Sequence, residues 1–119
     1  MKEIIFIETG TGVDLHGQDV NEAAKRAVMD AIHYNSMPGI IKMLPDHDVN
    51  NMKVNVKLGI PQDLEALDEE KIKKLLPYGT VTVEVLSGGL STTSGIFLED
   101  QKDKNDLMYI VNAVVEVGY

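Results

Sequence analysis

The chain has 119 residues, with 19 acidic side chains against 11 basic ones for a formal net charge of −8, and it has no cysteine. Disulfides, Cys-ligated zinc and a thiol nucleophile are therefore excluded. Arg26 is the single arginine, and the densest basic run, Lys71-Ile72-Lys73-Lys74, follows Glu69-Glu70 and reads as a solvated helix face. Neither nucleic acid nor an anionic membrane is therefore an expected partner.

The length predicts one domain over residues 1–119, large enough to bury a core without metal support. Its first apolar run, Ile4-Ile5-Phe6-Ile7, is too short for a signal peptide, and no segment approaches a membrane span. A cytoplasmic protein is expected.

Residues 3–7 read as a strand apolar on both faces, as a central strand would be. The stretch Glu8-Thr9-Gly10-Thr11-Gly12-Val13-Asp14-Leu15-His16-Gly17 follows and reads as a glycine-rich turn. Asp19 and Glu22 form a capping-box-like helix start. Val20, Ala23, Ala24, Ala27, Val28, Ala31 and Ile32 then mark one helical stripe, small enough for the helix to lie close to a sheet. Residues 35–39 stop this helix, and residues 40–44 allow one further turn. Residues 52–60 alternate apolar and polar as a half-buried strand ended by Pro61. Asp68 caps a short helix that ends by Pro77.

Residues 80–87 form the next strand, closed by Ser87-Gly88-Gly89, and residues 91–98 are extended. Residues 99–106 read as a solvated, charged turn, and residues 107–117 as a long final strand. That strand carries Tyr109, Val111, Ala113, Val115 and Val117 on one face, with Met108, Ile110 and Val114 on the other. Two helices cannot cover both faces. The expected architecture is α+β: a single mixed sheet of four or five strands, two helices on one face, and the other face packed in a homo-oligomer, most simply a trimer.

A strand, a glycine turn and a helix N-terminus together make a site for an anion or small molecule. Glu8, Asp14, His16 and Ser87 are the candidate catalytic residues. Gly10, Thr11, Gly12, Gly17, Gly88 and Gly89 are the candidate ligand-binding ones. Asp14 and His16, two positions apart, would pair as a carboxylate orienting an imidazole, and an imidazole's unperturbed pKa of about 6.5 suits proton transfer. Ser87 at a strand end would attack a carbonyl, with the Gly88 and Gly89 N–H groups holding the oxyanion. All are expected to converge on one pocket near a subunit boundary. His33 and His47 read as solvated residues. No set of ligands falls at a recognised metal spacing, so neither metal nor cofactor is expected.

The run Gly10–Gly17, G-x-G-x-D-x-H-G, resembles the signature of a family of conserved hypothetical proteins found in bacteria, with longer versions in plants. Glu8–Gly17 and Ser87-Gly88-Gly89 together are also similar to one repeat unit of ring-opening amidohydrolases (cyanuric acid hydrolase and barbiturase). In those enzymes three units form a pseudo-threefold barrel, and a serine works with a lysine. The resemblance implies that Ser87 matches the serine and that Glu8 stands in the lysine's place. It further implies hydrolysis or proton transfer on a cyclic amide or related carbonyl compound, without a Ser–Lys dyad. The competing expectation is a non-catalytic metabolite-binding or interface module.

Overall fold

The period-two pattern that starts at Ile4 does not stop at Glu8. In the computed structural model, which describes residues 1–119, β1 runs over Ile4–Asp14, straight through the glycine motif. Glu8, Gly10, Gly12 and Asp14 point to one face, and Thr9, Thr11 and Val13 to the other. The expected turn thus shrinks to residues 15–19.

The physical reason lies in α1 (Val20–Ile32), which returns across β1. A Cβ on Gly10 would run into the Ala27 carbonyl and the Ala31 amide, and one on Gly12 into the Ala23 carbonyl and the Ala27 amide. The strand glycines and the helix alanines remove side chains from both sides of one contact, so the two backbones approach closely. Ala23, Ala24, Ala27 and Val28 are fully buried there.

Beyond α1 come the single-turn α2 (Ile40–Met43), β2 (Lys53–Ile60), the short α3 (Glu69–Lys73), β3 (Thr80–Ser87), β4 (Leu90–Thr93) and β5 (Leu107–Gly118). The sheet order is β1-β5-β2-β3. β5 is the hub. It pairs antiparallel with β1 on one side, and on the other with β2 and, further along, with β4. β2 and β3 are parallel, joined through α3. The chain is therefore α+β, with one mixed five-stranded sheet. Its core lies between α1, the Ile72 side of α3, and the inner residues Val54, Val56, Leu58, Val111 and Val115.

No helix lies on the opposite sheet face. Ile7, Leu86 and Leu90 are exposed there, and Met108, Ile110 and Val114 are only half-buried. At one end this face is polar. Asn55 donates to Glu84 and Glu116 (3.0 Å each) and accepts from Thr82 (2.8 Å), while Lys57 lies 3.4 Å from Glu116. The Asn55 hydrogen bond, reinforced by Lys57, holds the Glu116 carboxyl below its ordinary range against the opposing effect of burial.

Candidate functional site

The N-terminus of α1 is already occupied by the chain's own carboxylates. Asp19 accepts from the Asn21 and Glu22 amides, as its place at the N-cap requires. Asp14 Oδ2 accepts from the Asp19 amide (2.8 Å), and its Oδ1 accepts from Arg26 Nη1 (3.2 Å). The same Arg26 nitrogen donates to the Val13 carbonyl (2.6 Å), and Asp30 accepts from the Thr11 amide (2.9 Å). These bonds consume the Asp19, Asn21 and Glu22 amides that an anion at this helix end would need. They also show that Asp14 does not orient His16.

Asp103 does. His16 Nδ1 lies 2.8 Å from Asp103 Oδ2, across 87 positions of sequence. Asp103 also accepts from the amides of Gly17 (2.6 Å) and Leu98 (2.9 Å) and from Gln18 Nε2 (3.1 Å). Gln18 completes the knot, donating to the Leu107 carbonyl (2.7 Å) and accepting from the Lys104 amide (2.8 Å). Burial alone would raise the Asp103 pKa. The Leu98 and Gly17 amides, then His16 and Gln18, outweigh it and bring the pKa down to about 2.

The segment expected to be a solvated turn thus contains one of the best-satisfied carboxylates in the chain. Asp103 keeps 1% of its side chain exposed and His16 keeps 18%, so the pair has one sealed end and one open end. His16 lines a cleft at the C-terminal end of β1 together with Val13, Asp14, Leu15, Arg26, Gln101 and Met108, so Asp14 shares the cleft without touching the imidazole. Val13 and Met108 belong to the uncovered sheet face, so the cleft borders that face.

The remaining candidates do not join this cleft. Glu8 lies six residues before Asp14 on β1, roughly 20 Å away at the rise of an extended strand. It lines a separate, mostly apolar cavity, where its Oε2 is buried without a hydrogen-bond partner. Burial pushes the Glu8 pKa up.

Ser87 ends β3, the edge strand opposite β1, with β5 and β2 between them. Three strand spacings amount to roughly 14 Å. The expected convergence of Ser87 with His16 in one protomer is therefore corrected. The Gly88 amide already donates to the Ile60 carbonyl (3.1 Å), so it is not a free oxyanion donor. Gly89, at φ +63°, brings its backbone against the Ile110 carbonyl at the β3–β4 turn. Gly10 and Gly12 are strand residues beneath α1, and Gly17 alone of the motif's glycines contacts the His16 knot.

A family model described as conserved hypothetical protein (Lin0512_fam) matches residues 4–117. The chain belongs to this family. A comparison with curated proteins finds no match. Among solved structures, an FtsZ-like protein of unknown function from Nostoc punctiforme is 36% identical, with a TM-score of 0.86. The alignment covers 97% of this Lin0512-family chain and 93% of that one. In this member of the Lin0512 family, no group of three or more His, Asp or Glu side chains is placed to hold a metal ion, and no helix is long and apolar enough to cross a membrane.

Proposed function

We propose that this protein is a homo-oligomeric small-molecule-binding protein whose ligand sits in the cleft at the end of β1, with His16 as the group that exchanges a proton with it. The observation that carries this reading is the 2.8 Å contact between His16 Nδ1 and the buried Asp103. An ionised Asp103 accepts only, so Nδ1 carries the hydrogen and Nε2 is left as the free ring nitrogen. A carboxylate that fixes the tautomer of an imidazole on a cleft-lining residue suits a general base.

Arg26 lines the same cleft; its Nη1 is held by Val13 and Asp14 and its Nη2 lies 3.7 Å from Glu22 Oε2, while its side chain remains half exposed. Its remaining N–H groups suit a carbonyl or carboxylate oxygen. A ring compound that presents a carbonyl to Arg26 and an acidic N–H to His16 fits both groups. The likeness to ring-opening amidohydrolases points to cyclic imides and ureides as first ligands. Hydrolysis through Ser87 has less support than binding with proton transfer, because Ser87 lies on the other sheet edge. The cleft borders the uncovered sheet face, so a second subunit packed on that face would supply its missing wall.

The test is a nitrogen-detected titration of the His16 ring with barbiturate, cyanurate and related cyclic imides. One of them should shift the Nε2 resonance at saturation, and Asp103→Asn should change the tautomer and weaken the response. A flat Nε2 signal across the whole set in the wild-type protein would overturn the reading.

A further inference from the structure

A separate cavity lies beside Glu8, away from the His16 cleft. It has a volume of about 350 Å³, at the lower end of the range for small-molecule sites, and ten of its thirteen lining residues are hydrophobic. Phe6, Met52 and Val117 form part of its apolar wall. No Lys, Arg or His lines it, and Tyr78 is the only titratable side chain there besides Glu8. Glu8 therefore meets the cavity with no positive partner, and its Oε2 is buried without any donor. An unsatisfied carboxylate is costly in such surroundings, and a natural structure that retains one calls for an explanation.

A second feature adds to the negative potential. Ile32, the last residue of α1, and Asn35, three residues beyond it, line the same cavity. A helix C-terminus carries a partial negative charge that a basic side chain in the last turn often offsets, and α1 has none there. The Asn35 amide nitrogen is already committed to the Ala31 carbonyl (3.1 Å).

We propose that this cavity binds a small apolar amine, with its ammonium group against the Glu8 carboxylate and the end of α1, and its hydrocarbon against Phe6, Met52 and Val117. The charge on the ligand supplies what the wall lacks. An ammonium group donates up to three hydrogen bonds, and the Glu8 carboxylate turns easily about its last torsion to receive one. The apolar lining selects against small hydrated cations, which would lose their water without replacement ligands.

The experiment compares hexylamine with 1-hexanol, matched in chain length, by calorimetric titration of the full chain at pH 8, where the amine is protonated. Hexylamine should bind about tenfold more tightly than hexanol, as a charge-assisted hydrogen bond predicts. Glu8→Gln should reduce that preference to within about twofold, whereas Met37→Trp, at the cavity wall, should weaken both ligands. A measurement on the unsubstituted protein stands beside the variants: hexylamine should lower the titration midpoint of the Glu8 side-chain carbon. Equal affinities for amine and alcohol, no binding of either, or a Glu8 midpoint that ignores hexylamine would each overturn the proposal.

Discussion

The buried Asp103 and the half-buried Glu8, whose Oε2 is out of solvent, are two carboxylates that the same fold shifts in opposite directions. Asp103 collects four donors, and its folded pKa of about 2 lies below the ordinary 3.8. A lowered carboxylate pKa contributes stability that is present above the unfolded value and lost as pH falls through the folded one. Melting temperature should therefore drop between about pH 4 and pH 2, and Asp103→Asn should flatten that drop while lowering stability at neutral pH; scanning calorimetry of both proteins checks this. Glu8 has no donor for Oε2, and burial raises its pKa above 4.5. The sign reverses: its contribution is present below that ordinary value and is lost as pH rises through the raised one. Glu8→Leu should consequently melt several degrees higher than wild type at pH 8, with the difference shrinking toward pH 4. A variant that melts lower at both pH values would contradict this account of Glu8.

At the scale of elements, the decisive contact is α1 on β1. The atoms that a Cβ at Gly10 or Gly12 would strike are backbone atoms of α1, which no rotamer change can move. Gly10→Ala or Gly12→Ala should each cost about 3 kcal/mol, the upper part of the range for overpacking, measured by urea denaturation. Adding Ala27→Gly should not rescue either variant, because the colliding atoms at Ala27 are its carbonyl oxygen and its amide. The helix side of this contact was legible, since alanines at helical spacing announce a helix that lies close to its partner. The strand side was not, because Gly-x-Gly before a helix reads equally as a turn. The discriminating signal was the alternation of Thr9, Thr11 and Val13, β-branched residues at period two. β2, β3 and β5 carry the same period with no Gly-x-Gly run inside them, and their positions followed from it directly. Asp103 had no such signal. Nothing local separates it from Glu99, Asp100 and Asp106, and its role depends on a contact 87 positions away.

The whole molecule is more extended than its length requires. Its radius of gyration is 15.9 Å, against roughly 13.5 Å expected for a chain of this length. Its extents of 53 × 26 × 20 Å reflect a sheet with helices on one face only. A second copy can meet it at a sheet edge or on the bare face. Asp30 takes the Thr11 amide and Arg26 takes the Val13 carbonyl, which blunts one end of the β1 edge against strand pairing. The bare face offers Ile7, Ile110, Val114, Leu86 and Leu90 beside the Asn55 polar cluster, a mixture suited to a specific interface. Light scattering should therefore find an oligomer at micromolar concentration, and under the proposed function the cleft's position beside this face would tie ligand binding to that assembly. Ile110→Lys tests the arrangement, because Ile110 belongs to β5 yet points away from α1 and the core. The variant should keep its circular dichroism spectrum, elute as a monomer and lose the His16 response to ligand. If the wild type is monomeric at that concentration, or Ile110→Lys remains oligomeric, the bare face is not the interface.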